Sequence, residues 1–273
     1  MFFFVLSFFF LIPTYPPSLP HPQNRAAKNN HTSITEDDLS WATERTGFGV
    51  ARKGKITPSE LRRTAVHEAG HALISYFLPD ASPPIKISII NRGKMGGYNL
   101  MSESNFTYHT EARLRDEICV FLGGRVAEEV VLGEASSGAF DDLKKASALS
   151  RGMVESLGYG KKTGLLSYGG GGGGGGESGG EVSQAALRML EEEAQSILAS
   201  EYARARKVVV KRKKELMGLV ELLLEKEVVH DHDLEGVFGP RVVAPVAVAA
   251  AAGGGGGGGG GRSSSYGWGG WGA

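Results

Sequence analysis

Residues 57–78 read TPSELRRTAVHEAGHALISYFL, and the architecture is worked outward from this stretch. Thr57, Pro58 and Glu60 form a helix start: Thr57 caps a free N–H, Pro58 suits the first helical position, and Glu60 reaches back to the cap. Leu61, Ala65, Ala69, Ala72, Leu73, Tyr76 and Phe77 recur at helical spacing, and Pro79 ends the run. His67 and His71 are four apart, so their rings leave one face about a turn apart. That spacing lets two imidazoles share one metal ion. Glu68, beside them, is placed to take a proton from water and pass it to a leaving amine. Ala69 and Gly70 are small enough for another element to approach closely. An isolated match of this kind also fits two exposed histidines on an ordinary helix, but the strong cap favours the metal.

A catalytic zinc takes three protein ligands and keeps one position open, so a third ligand must lie downstream. Glu128 and Glu129 sit in one helical stretch, Asp141 and Asp142 at the start of another. Spacing does not choose among them. Acids in a first helical turn also serve the helix dipole, and a glutamate pair also makes a solvated face.

Residues 85–90 (IKISII) are β-branched and alternate at the start, which predicts a strand. Residues 91–93 predict a turn, and 97–101 a second strand. Thr110 opens a further helix with Leu114, Ile118, Phe121 and Leu122 as its buried stripe. After Gly123 and Gly124, residues 126–132 predict another helical piece ending at Gly133. A short loop at 136–139 leads to a helix over 140–157. Residues 181–227 predict long charged helices with a break near Lys211. The fold class is therefore mainly α (α+β), with a small sheet beside the first helix.

The chain has 30 basic and 30 acidic residues, so no overall field points to nucleic acid. The basic cluster at 211–214 reads as a solvated helix face. One cysteine, Cys119, excludes a disulfide framework and reads as a core residue. Glycine runs at 169–176 and 253–261 bury nothing; the first predicts a flexible insertion over 169–180, the second a disordered tail over 241–273. Residues 1–13 (MFFFVLSFFFLIP) are too short for a membrane-spanning helix. With the Pro-rich stretch that follows, residues 1–30 read either as a targeting leader or as a mistaken start.

The segments TAVHEAGHAL, FLGGRVAEEVVLG, SSGAFDDLKKA and GLLSYG, in that order, resemble the peptidase domain of FtsH-type ATP-dependent zinc metalloproteases. The resemblance covers residues 57–240 and implies one Zn²⁺ per chain held by His67, His71 and Asp142, with Glu68 as general base. It further implies a substrate-lining edge at Gly97 and Tyr98, a supporting acid at Glu128 or Glu129, polypeptide substrates, and a hexameric ring of this chain or of full-length subunits. It implies a location in a mitochondrion or chloroplast, with or without attachment to a membrane. Residues 31–56 resemble the end of the family's ATPase lid and the linker. The family's P-loop has no counterpart here, and Gly253–Gly261 with Arg262 and Ser263 only mimics one, lacking its lysine, so no ATP site is expected. Alternatives are a non-catalytic subunit docking into such a ring, or a fragment of a full-length ATP-dependent protease. The presence of all four of His67, Glu68, His71 and Asp142 favours an enzyme.

Overall fold

A computed structural model describes residues 22–47, 49–50, 56–92, 96–102, 108–168 and 182–241. The apolar leader at 1–13, the glycine insertion at 169–180, Gly93 of the expected turn and the tail from 242 lie outside the described residues. The elements in order are α1 (Pro22–Lys28), α2 (Glu36–Gly47), α3 (Pro58–Phe77), β1 (Pro84–Ser88), β2 (Tyr98–Met101), α4 (Glu111–Leu132), a 3-10 turn (Ser137–Ala139), α5 (Phe140–Glu155), α6 (Gln184–Lys211), α7 (Lys213–Lys226), β3 (Val228–His230) and α8 (Asp231–Phe238). It is a mainly helical domain with a small antiparallel sheet.

Both ends of α3 are fixed by their own chemistry. At the start, the Thr57 hydroxyl accepts from the Glu60 amide, and the Glu60 carboxylate accepts from the Thr57 amide at 3.0 Å. At the other end, the Arg241 guanidinium donates to the carbonyls of Tyr76, Leu78 and Ala81 at 3.2, 3.4 and 2.7 Å. The Tyr76 and Leu78 carbonyls are ones that a helix end leaves without a helical partner, and Ala81 lies in the loop that follows. The Tyr76 hydroxyl donates back to the Gly239 carbonyl at 2.6 Å.

Helix α4 departs from the sequence expectation. It runs unbroken through Gly123 and Gly124 instead of forming two pieces. Glycine costs a helix about 1 kcal/mol relative to alanine, but packing decides here. A Cβ on Gly70 of α3 would lie 2.5 Å from the Gly123 carbonyl oxygen and 2.5 Å from Ala127 Cβ. Glycines at the crossing thus let the two helices approach backbone to backbone. Helix α5 also stops two residues short of Leu157, and the expected break near Lys211 falls at Arg212.

The sheet has three strands in the order β2-β1-β3, both pairs antiparallel. Ser88 lies opposite Tyr98 on one side and Val228 on the other. Strand β1 ends at Ser88, before the expected Ile90, although the Ile89 amide still donates to the Glu227 carbonyl at 3.0 Å. The third strand was not expected. It is three residues long and lies against the end of a helical run, so it carries no alternation of its own.

Leu73, Ile74, Ile87, Leu216, Leu219, Leu223 and Leu234 are fully buried where α3, α7, α8 and the sheet meet. Each such side chain contributes about 1.5–3 kcal/mol. A second cluster, with Leu114, Ile118, Met153, Leu190 and Ile197, packs α4 against α5 and α6. Cys119 is buried in the core, and burial pushes its thiol up to about 12, so it stays a neutral packing group.

Candidate metal centre

Three elements bring three ligand atoms together. Helix α3 presents His67 and His71, whose rings meet edge to face with centroids 4.7 Å apart. The turn at Ser137–Ala139 leads into α5, whose third residue is Asp142. His67 Nε2 and His71 Nε2 are 3.1 Å apart, and Asp142 Oδ2 lies 3.2 Å from the first and 3.3 Å from the second. Atoms bound about 2.0–2.1 Å from a tetrahedral zinc lie roughly 3.3 Å from one another, so the trio fits such an ion.

The other ring nitrogens say which hydrogens are present. His71 Nδ1 is 2.7 Å from the Val120 carbonyl oxygen, which only accepts, so this nitrogen carries the hydrogen. His67 Nδ1 is 2.7 Å from Glu128 Oε1 and donates to that carboxylate. With neutral rings, both Nε2 lone pairs then face each other and a carboxylate oxygen. Three acceptors converging without a donor call for a cation. The alternative way to satisfy them is a second proton on His67. Burial opposes that charge, but the Asp142 and Glu128 carboxylates and the charge of Glu68 raise His67 to about 10. Burial likewise opposes ionisation of Asp142, yet both histidines hold it well below the usual carboxylate range.

Helix α4 orients both rings. Besides the Val120 carbonyl it supplies Glu128, which is 1 % exposed. Glu128 accepts from His67, from the Ser136 amide and hydroxyl at 2.8 and 3.1 Å, and from Arg63 at 3.0 Å. Burial opposes its charge, but these hydrogen bonds lower it to about 2. Glu129 turns elsewhere, to Arg125 at 3.0 Å and to the Tyr202 hydroxyl. Asp141 is exposed on the rim of the cleft and is not part of the ligand trio. Gly124 keeps the rings free of contact: a Cβ there would lie 2.6 Å from both Nε2 atoms.

Glu68 is buried beside the trio, and its Oε2 accepts from Asn99 Nδ2 at 2.6 Å. The same Asn99 nitrogen donates to the Glu68 backbone carbonyl at 3.1 Å. Burial raises Glu68 above the usual carboxylate range, against the charges of His71 and His67. Gly97 makes room for it, because a Cβ there would lie 2.8 Å from Glu68 Cγ. Gly97 and Tyr98 both line the cleft, which encloses about 1130 Å³. Tyr98 is nevertheless buried, its phenol raised by burial and by the adjacent Glu44. Sequence reasoning missed Asn99, Gly124, Arg63 and Ser136. Only Gly124 left a signal, as a glycine pair inside an otherwise apolar helix.

The model of peptidase family M41 matches residues 55–237, a stretch that holds His67, Glu68, His71 and Asp142. The chain belongs to peptidase family M41. Members similar to it include the ATP-dependent zinc metalloprotease FtsH 1 of Sphaerobacter thermophilus, 34 % identical over 241 residues, covering 82 % of this chain and 37 % of the relative. The ATP-dependent zinc metalloprotease FtsH of Thermotoga maritima is 37 % identical over 220 residues, 78 % of this chain and 36 % of that protein. The mitochondrial inner membrane m-AAA protease component AFG3L2 of Mus musculus is 33 % identical over 217 residues, 79 % and 27 % of the two chains. The chain thus spans about a third of the length of the M41 relatives it matches. It is an FtsH-like metallopeptidase domain by family. Among its described residues no helix is long and apolar enough to cross a membrane.

Proposed function

We propose that this chain is a zinc-dependent endopeptidase that hydrolyses peptide bonds in unfolded or loosely folded polypeptides. The observation that carries the reading is the convergence of His67 Nε2, His71 Nε2 and Asp142 Oδ2, with the histidines' other nitrogens already bonded. These three would hold one zinc ion per chain. Zinc when bound supplies Lewis acidity, polarising a carbonyl and making water acidic near neutral pH. Glu68 then takes the proton of the water that attacks the carbonyl carbon, and delivers it to the amide nitrogen as the C–N bond breaks. Asn99 occupies Oε2, which leaves Oε1 for the transfer. Burial raises Glu68 and makes its carboxylate the stronger base, which favours the first half of that task, taking up the proton of the water.

Among the described residues strand β2 is an edge of its sheet, and it borders the cleft. An extended substrate pairs with it near Gly97 and Tyr98, taking affinity from main-chain hydrogen bonds. The FtsH relatives are named ATP-dependent zinc metalloproteases, and two mouse relatives are named components of an m-AAA protease of the mitochondrial inner membrane. By extension, this domain works on chains delivered by an ATPase motor, in a ring with its own copies or full-length subunits, in an organelle and near a membrane. On this view residues 31–56 are the lid-and-linker segment and 57–240 the peptidase domain. Elemental analysis of the purified chain tests the centre. Wild type should carry about one zinc per chain and Asp142→Ala should lose it; stoichiometric zinc in the variant would overturn the ligand set.

A further inference from the structure

The strand that positions Glu68 is gripped from its other face by a helix lying before the family match. Glu44 of α2 is 6 % exposed, and its carboxylate collects partners from two strands and from the segment between them. The Lys86 ammonium of β1 donates to it, Arg92 Nη2 from the segment between β1 and β2 donates at 2.7 Å, and the Tyr98 hydroxyl of β2 lies against it. Tyr98 and Asn99 are neighbours, so their side chains leave opposite faces of β2. One face ends on Glu44, the other donates to Glu68 at 2.6 Å.

We propose that α2 is a positioning element for peptide hydrolysis, with Glu44 anchoring β2 so that Asn99 holds the Glu68 carboxylate in place. Glu44 touches no reacting atom. It acts through the strand, and a displacement of α2 reaches the base without disturbing His67, His71 or Asp142. A buried carboxylate that neutralises two cations is not easily replaced: removing its charge takes the paired carboxylate from Lys86 and Arg92. This inference rests on the peptidase reading, in which Glu68 is the base.

The test uses the full chain loaded with zinc, as wild type, Glu44→Gln, Tyr98→Phe, Asn99→Ala, the Glu44→Gln/Asn99→Ala double variant, and Arg45→Ala. Zinc content, kcat on unfolded casein and amide hydrogen exchange at Tyr98–Met101 are measured. Glu44→Gln should keep its zinc, exchange faster at Tyr98–Met101 and lose about tenfold or more in kcat, since an ångström of misplacement costs up to about 100-fold. Tyr98→Phe, which keeps the ring, should move both readouts in the same direction. Arg45, exposed at the end of α2, should be silent. If Glu44 acts through Asn99, Glu44→Gln should cost little more in the Asn99→Ala background. Unchanged exchange in Glu44→Gln and Tyr98→Phe, or additive losses of kcat, would overturn the proposal. A wild-type chain that binds zinc but cuts nothing would instead overturn the peptidase reading, while exchange would still decide whether Glu44 holds β2.

Discussion

At the scale of single residues, the site is arranged by partners as much as by ligands. His67 and His71 each have one nitrogen held by α4, one by a carboxylate and one by a backbone carbonyl. Such partners fix ring orientation and raise ligand basicity. Glu128→Ala should therefore lower zinc affinity about 10–100-fold with the three ligands intact; competition with a chromophoric chelator reads this, and unchanged affinity would show that Glu128 only packs. The sequence made the His67–His71 pair legible because four-residue spacing is a local property of a helix. It left Glu128, Glu129, Asp141 and Asp142 as equals. What separates them is that α4 crosses α3 at Gly70 and Gly123, sending Glu128 to the Nδ1 side of His67 while α5 brings Asp142 to the Nε2 side. That crossing depends on contacts about 50 residues apart in sequence, and only a family resemblance conveyed its outcome.

At the scale of elements, local signals read well and long-range ones did not. The Thr57–Glu60 cap, the Thr110 start and the Gly133 stop, where φ is 82°, are set by neighbours in sequence. The unbroken α4 and strand β3 are set by what packs on them, so propensity misjudged the first and periodicity missed the second. The turn before Leu165 shows a similar tertiary control. Glu193 of α6 accepts from the Lys162 and Thr163 amides at 2.6 and 3.0 Å and from the Thr163 hydroxyl at 2.6 Å. Burial opposes its charge, but these bonds lower its pKa from the ordinary value. Its contribution to stability is thus fully present above the unfolded-state pKa of about 4.3 and is lost as pH falls through the lower folded value. Acid titration of stability should accordingly be shallower in Glu193→Gln than in wild type as pH falls below about 5. Identical profiles would mean that the clamp carries no linked proton.

At the scale of the whole molecule, one ion would tie α3 to α5 across the cleft, while Arg241 ties the far end of α3 to the segment that follows α8. Binding to the folded state alone stabilises it by about 2.7 kcal/mol at a free concentration 100 times Kd. Chelation should then lower the thermal midpoint and zinc should restore it; a midpoint indifferent to both would argue against a metal bridging the two helices. Glu68 bears the chemistry of the whole reading, and its removal gives the most direct test. Zinc-loaded wild type and Glu68→Gln, matched for metal content, are compared for cleavage of unfolded casein. If Glu68 is the general base, wild type cleaves and the variant falls by about 10²–10⁴-fold. Undiminished cleavage by the zinc-loaded variant would contradict the assignment.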